Sequence, residues 1–332
     1  MDSHHLIIVA FQTSFVPAPK FELPAPYTCE VREYGRTSEE EIPERIRDAD
    51  IVTLSTLRLS AEVLDAAVSP RLKMVAVVAS GTDCVDLAVC RARGIAVSNT
   101  PHCNARSVAE HTIALYFDAR RSVTLSHTLT RAGQWAVRRS LVGSLDGPDG
   151  KPPRTCRHET LGIVGYGALG KMIKSVARDL GMKVLISGRK GQADIAEGRS
   201  PFDTVIREST VIVLCIPQIP ETIDLIAEAE FRAMGQHTIV INVSRAGIVN
   251  EDALIAALKA RKIAGAAVDV YPKEPAGPDN CRLLGPETEG LNLVTTPHVA
   301  WVAEDTNRNY QQTLLENLNA WLTTGRAKYQ VV

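Results

Sequence analysis

Three side chains of complementary chemistry stand at the ends of apolar runs in the second half of this chain. Arg245 follows Ile241-Asn242-Val243-Ser244, Glu274 lies in Tyr271-Pro272-Lys273-Glu274-Pro275, and His298 follows Thr295-Thr296-Pro297. A fourth, Asp269, ends Ala266-Ala267-Val268. Singly, each has a plain structural reading: a helix-flanking ion pair, a solvated loop charge, a turn histidine and a turn cap. Together they suit hydride transfer to a 2-keto acid. A planar guanidinium binds a carboxylate and polarises a carbonyl through paired hydrogen bonds. A histidine gives the developing alkoxide its proton near neutral pH. A carboxylate beside that histidine stabilises its cationic form. On this reading Arg245 binds substrate, His298 is the acid and Glu274 its partner.

Such a reaction needs a hydride carrier, and residues 161–170 read Leu-Gly-Ile-Val-Gly-Tyr-Gly-Ala-Leu-Gly. Gly165, Gly167 and Gly170 form a G-x-G-x-x-G element after an apolar run. The first glycine serves a tight turn, the second a close approach to a pyrophosphate, the third helix–strand packing. Ile173, Val176, Ala177 and Leu180 recur at helical spacing, and Gly181 stops the pattern. A helix starting near Leu169 would offer free amides to the phosphates. About 20 residues past the glycines, NAD-binding versions carry an acidic residue for the adenine ribose. Here the second strand ends in Ser187-Gly188-Arg189-Lys190. Gly188 leaves room for a 2′-phosphate, Arg189 and Lys190 supply charge, and Ser187 a hydroxyl donor. The expectation is NADP(H) in preference to NAD(H); an ordinary solvated basic turn is the competing reading.

The elements that must position these residues alternate between strand and helix. Leu6–Ala10, Ile51–Leu54, Met74–Val78 and Ile95–Val97 are predicted strands, with helices at Glu40–Arg47, Ala61–Val68 and Val85–Arg93. The proline-rich 13–27 stretch reads as a surface connection. A long helix is predicted over Ser107–Leu129, then an exposed loop or arm over Gly143–Arg157. A second series starts at Thr160, with later strands at Val211–Cys215, Thr238–Asn242, Gly265–Asp269 and Leu293–Thr295 and a helix at Glu251–Ala260. The amphipathic Ala303–Leu322 segment could return to the first unit. The expected class is α/β: two doubly wound parallel-sheet domains with a cleft between them, one over 1–106 and 300–332, the other over 107–299.

Composition sets bounds. The 332 residues suffice for two domains, and the formal charge of −1 gives no global field toward nucleic acid or an anionic membrane. No apolar run approaches a membrane span, and Leu6–Phe11 is too short for a secretory signal. Seven cysteines in no C-x-x-C pair support neither a zinc site nor a disulfide framework. A cytoplasmic protein with free thiols and no metal is expected.

These residues carry a resemblance to the D-isomer-specific 2-hydroxyacid dehydrogenases over nearly the whole chain. The matching stretches are Val78-Ala79-Ser80-Gly81-Thr82-Asp83, Gly94–Pro101, Asn104 with Ser107-Val108-Ala109-Glu110, the glycine element, Pro217 with Thr222, Asn242-Val243-Ser244-Arg245, Asp269-Val270-Tyr271 with Glu274-Pro275, and Thr296-Pro297-His298. The resemblance implies a Rossmann-like cofactor domain and a flavodoxin-like substrate domain. It implies that Ser80 and Gly81 amides hold the substrate carboxylate and that Asp269 orients the nicotinamide carboxamide. Ala168 and Leu169 would bind pyrophosphate, Cys215, Pro217, Thr222 and Val243 would border the dinucleotide, and Val108 would lie by the nicotinamide. It also implies a homodimer and cleft closure. The basic pair beside Gly188 resembles the NADPH-using glyoxylate/hydroxypyruvate reductases. Trp301 resembles the Pro-His-x-x-Trp of glycerate dehydrogenase-like members and would wall the substrate pocket, or simply pack. One departure is Arg245-Ala246-Gly247, where the family commonly has Arg-Gly.

Two other functions fit the same frame. Some family relatives act as dinucleotide-sensing corepressors; long partner-binding tails would support that reading, and none is expected from this sequence. Phosphite oxidation uses an Arg/Glu/His set too, whereas formate dehydrogenases place glutamine at the position of Glu274.

Overall fold

The computed structural model describes residues 4–192 and 194–332. The chain divides into two compact units, Met1–Asn104 with Val302–Val332, and Ala105–Trp301.

The first unit is built on strands β1 (His4–Phe11), β2 (Tyr27–Tyr34), β3 (Ile51–Leu54), β4 (Met74–Val77) and β5 (Ala96–Ser98). They pair in the order β2-β1-β3-β4-β5, all parallel. This is the flavodoxin-like order. β3 and β4 are buried at every position, as expected for strands covered on both faces. β2 escaped the sequence reading because it is an edge strand, exposed at every second or so position and buried at none, with no apolar run. The helix predicted over Ala61–Val68 is instead a succession of turns in which Leu64 N–H bonds Ser60 C=O and Ser69 N–H bonds Asp65 C=O. Its apolar position Leu64 still reaches the core, and Val63 and Val68 pack against it. Glu304–Thr324 forms a helix of this unit, with Asn317 buried and bonded to Asn99 C=O and Tyr329 N–H.

A flavodoxin-type sheet binds ligands beyond β1 and β3, where strand order reverses. Here the Gln12 side chain occupies that spot: Oε1 accepts the N–H groups of Ser55, Thr56 and Leu57 at 3.0, 2.8 and 2.9 Å. The next strand end carries the loop after β4. Asn99 ties it down by donating to Ser80 C=O at 2.7 Å, and Ser80 Oγ donates to Asn104 at 3.3 Å.

The second unit holds β6 (Thr160–Val164), β7 (Lys183–Ile186), β8 (Val211–Leu214), β9 (Ile239–Asn242), β10 (Gly265–Val268) and β11 (Leu293–Thr295), in the parallel order β11-β10-β9-β8-β6-β7. A single parallel bridge from Ser187 to Ser200 adds the remnant of a further strand beyond β7. Strand residues alternate between two cores. Val211, Val213, Ile239 and Ile241 face the helices Ala105–Arg121 and Ala168–Asp179. Ile212, Leu214 and Val240 face Phe202–Glu208, Glu228–Ala233 and Glu251–Lys259. Coverage of both faces explains why these strands read as continuous apolar runs. The helix predicted over Ser107–Leu129 breaks into Ala105–Arg121 and Val123–Arg131 at Ser122, whose φ is +49°. The 143–157 segment carries short 3-10 turns at Val142–Leu145 and Cys156–His158 and no longer element.

Candidate active site

The glycine turn lies at the point where strand order reverses, between β6 and β8. A Cβ on Gly165 (φ +98°) would meet the Cys215 carbonyl oxygen at 2.4 Å, and one on Gly170 would meet the Gly165 carbonyl oxygen at 2.4 Å. Those two glycines are required by packing. Gly167 differs: it is exposed, and a Cβ there would meet nothing within 4 Å. It caps the Ala168–Asp179 helix, whose first turn has no acidic side chain. The open approach, the free amides of Ala168 and Leu169 and the positive helix end together fit a dinucleotide pyrophosphate. Thr222 Oγ1 donates to Pro217 C=O at 2.8 Å, bringing those two predicted residues together. Burial pushes the Cys215 thiol up to about 12, so it is neutral. Val108 and Val243 are buried in one core, and Trp301 packs against it. The indole therefore has a packing role in this unit.

At the end of β7 the structure redistributes the predicted roles. Ser187 is buried and its hydroxyl donates to Gly188 C=O at 2.7 Å, so it is not the free donor expected from sequence. Gly188 is buried too: a Cβ there would sit 3.0 Å from Ile195 Cδ1. Lys190 pairs with Glu230 at 2.7 Å. Arg189 is exposed and, among the described residues, has no hydrogen-bond or ion-pair partner for its guanidinium. Sequence reasoning missed Arg199, which donates to Ser187 C=O at 3.3 Å and so puts a second guanidinium beside this turn. The sequence carries no signal for this: Arg199 is brought in because Ser200, next to it, bridges to Ser187.

The polar residues at the other strand ends form an interlocked set. Asn242 at the end of β9 donates to Arg245 C=O at 2.8 Å and accepts from Ser244 N–H and Oγ at 3.1 and 3.0 Å, which shapes the Arg245 turn. The displaced Gly247 has φ +73°, and a Cβ there would lie 2.6 Å from Gln218 Nε2. Beyond β10, Asp269 is 1 % exposed. Its Oδ1 accepts from Thr296 Oγ1 at 2.6 Å and Val299 N–H at 3.0 Å, and its Oδ2 from Ala300 N–H at 2.9 Å. The geometry thus gives Asp269 the work of holding the 296–300 turn; these bonds engage the carboxylate expected to orient a carboxamide. Tyr271 Oη donates to Thr296 C=O at 3.0 Å.

His298, at φ +53°, sits on that turn. Its Nδ1 is 2.7 Å from Glu274 Oε2, and Glu274 Oε1 accepts Tyr271 N–H at 2.9 Å. The two side chains are 35 % and 34 % exposed, so solvent reaches both. Burial pushes the Glu274 carboxyl up. The hydrogen bonds from His298 and the Tyr271 amide, with the charges of His298 and Arg245, outweigh this and leave it below the usual glutamate range. The arrangement is a carboxylate-oriented imidazole with a guanidinium within electrostatic reach, able to hold a proton on one ring nitrogen and an anion nearby.

A doubly wound sheet with a glycine turn at its switch point and an oriented histidine beyond its strand ends is the arrangement of a dinucleotide-dependent oxidoreductase. The chain matches the D-isomer specific 2-hydroxyacid dehydrogenase, NAD binding domain family over residues 113–300. It is 36 % identical over 294 residues to the glycerate dehydrogenase of Methylorubrum extorquens, covering 88 % of this chain and 89 % of that one. It is 34 % identical over 289 residues to the glyoxylate reductase of Korarchaeum cryptofilum, covering 86 % and 83 %. Among solved structures, an NADPH-dependent glyoxylate/hydroxypyruvate reductase of Sinorhizobium meliloti in complex with citrate superposes with a TM-score of 0.74 at 26 % identity, over 98 % of each chain. The protein belongs to the D-isomer specific 2-hydroxyacid dehydrogenase family. It is an enzyme of two parallel-sheet α/β domains with an NAD(P)-binding domain, of a family acting on small 2-hydroxy and 2-keto acids.

Proposed function

We propose that this enzyme reduces a small 2-keto acid, of the glyoxylate or hydroxypyruvate class, to the D-2-hydroxy acid, with NADPH preferred over NADH. The observation that carries the reading is the Glu274–His298 pair on the strand ends of the dinucleotide-binding unit. With Nδ1 on Glu274, Nε2 of His298 is the atom that gives its proton to the substrate oxygen. Arg245 binds the substrate carboxylate and polarises the carbonyl. Gly165 to Gly170 hold the pyrophosphate, with Pro217, Thr222 and Val108 bordering the dinucleotide. The bound nicotinamide cofactor supplies the hydride. Arg189 and Arg199 favour NADPH, since a 2′-phosphate would be met by two guanidinium groups, and residues 187–190 include no acidic side chain. The Sinorhizobium meliloti relative is itself NADPH-dependent by name. The test is a panel of 2-keto acids assayed with both cofactors. A higher kcat/KM with NADH, or no turnover of any 2-keto acid, overturns the reading.

The working form proposed is a homodimer. Val123, Leu125, Trp135, Val137 and Val142 are exposed within one stretch of chain, and an apolar surface of that kind favours association. Light scattering on the purified enzyme measures the oligomeric state. No helix is long and apolar enough to cross a membrane among the described residues; the cytoplasm is proposed on the free cysteines.

A further inference from the structure

The turn that carries His298 is held by a chain of hydrogen bonds that begins on a different element. Thr296 has one hydroxyl proton and gives it to Asp269 Oδ1 at 2.6 Å. Its bond to His111 Nε2 at 3.1 Å must therefore run the other way, with Nε2 protonated. His111 lies on the Ala105–Arg121 helix, among the buried Val108, Thr112 and Leu115. From Asp269 the chain continues to the N–H groups of Val299 and Ala300. Those amides directly follow His298, whose φ of +53° lies in the left-handed region that residues other than glycine populate sparsely. A carboxylate holds a turn only in the orientation that its own partners fix.

We infer that His111 is a positioning residue for proton transfer. Its Nε2–H orients the Thr296 hydroxyl, the hydroxyl orients the Asp269 carboxylate, and the carboxylate fixes the turn that aims His298. The inference rests on the reading of His298 as the proton donor. It predicts a signature that loss of packing would not produce: kcat falls while affinities stay, and restoring the donor restores the rate.

The experiment compares His111→Leu and His111→Met, which lack the donor, with His111→Gln, which keeps an N–H at similar reach, and Thr296→Val with Thr296→Ser. The full-length enzyme is assayed with a turned-over 2-keto acid and its preferred cofactor. The donor-less variants and Thr296→Val should lose about tenfold or more in kcat, because small misplacements of a reacting group are that costly, with little change in KM. His111→Gln and Thr296→Ser should recover most of the loss. The His111→Leu/Thr296→Val double variant should be no worse than either single, because both cut one chain. Wild-type kcat in His111→Leu and His111→Met, a loss confined to KM, or a His111→Gln enzyme as slow as His111→Leu overturns the proposal. His298→Ala is assayed in parallel. If it keeps its turnover, the proton-donor reading falls and takes this proposal with it. If it is inactive while His111→Leu is fully active, His111 alone is removed.

Discussion

Glu274 joins the loop after β10 to the turn after β11: one carboxylate oxygen holds His298 Nδ1 at 2.7 Å and the other holds Tyr271 N–H at 2.9 Å. The imidazole is thereby oriented before substrate arrives. His298→Ala should lower kcat by about 10²–10⁴-fold, the usual worth of a positioned acid, with dinucleotide affinity retained in a fluorescence titration. Glu274→Gln keeps a hydrogen bond but loses the charge that favours a protonated imidazole. The alkaline limb of the kcat profile for reduction should then move to lower pH. An unchanged profile removes Glu274 from its role.

The same contact makes a prediction about acid stability. The Glu274 carboxyl lies below the usual glutamate range in the folded protein. A depressed carboxyl contributes stability that is present above its unfolded value, about 4.3, and is lost as pH falls through the lower folded value. Melting temperatures of wild type and Glu274→Gln should therefore differ at neutral pH and converge below about pH 4. A difference that persists unchanged well below that pH contradicts the assignment.

A buried ion pair far from the acid/base set should matter to stability alone. Arg120 Nε lies 2.6 Å from Glu159 Oε1, with the side chains 6 % and 0 % exposed. Arg120 also donates to Thr210 C=O and His237 C=O, and Glu159 accepts from Thr210 Oγ1. Removing one partner leaves an uncompensated buried charge, so Arg120→Ala should cost about 3–5 kcal/mol. Denaturant titration measures this; kcat of the folded fraction should be unchanged.

Cofactor choice is predicted to rest on Arg189 and Arg199. Hydrogen bonds to a charged group contribute about 1.5–3 kcal/mol, so each alanine variant should raise KM for NADPH by about tenfold or more and leave NADH nearly unaffected. Gly188→Asp places a carboxylate where NAD-specific sheets carry one. Its Cβ meets the tip of Ile195 at 3.0 Å, a flexible neighbour that can give way. That variant should fold and shift preference toward NADH. Unaltered kcat/KM ratios in all three variants would eliminate the cluster as the determinant.

Much of this site was legible in the sequence because its residues follow apolar runs closely. Arg245, Glu274 and His298 each fall within a few residues of a strand end, and strands covered on both faces announce themselves. What the sequence hid depends on which partner a polar side chain takes, near or far along the chain. Ser187 looked like a phosphate donor, but its hydroxyl turns back onto Gly188 C=O. Arg199 and His111 reach the site from elements with their own local reasons to exist. β2 was invisible because an exposed edge strand has no apolar run. The turns over 61–68 mimic a helix because turns, too, can bring every third or fourth apolar residue inward.

The three glycines of the 165–170 turn should separate in the laboratory, because only one of them faces open space. Gly165→Ala puts a methyl 2.4 Å from the Cys215 carbonyl oxygen at φ +98°, and Gly170→Ala puts one 2.4 Å from the Gly165 carbonyl oxygen. Neither backbone can move without disturbing β6 or β8, so both variants should lose more than about 3 kcal/mol of stability without any ligand present. Gly167→Ala meets nothing within 4 Å. It should melt within about 4 °C of wild type, since the added methyl disturbs no neighbour. The same methyl stands where the pyrophosphate must approach the helix amides. Dinucleotide affinity should fall by about tenfold or more, equivalent to 1.4 kcal/mol. Calorimetric melts of the apo variants, followed by titration with NADPH and NADH, read both quantities. A Gly167→Ala protein that binds like wild type would show that the ligand does not pass over this glycine, and one that unfolds like Gly165→Ala would show that the residue is there for packing.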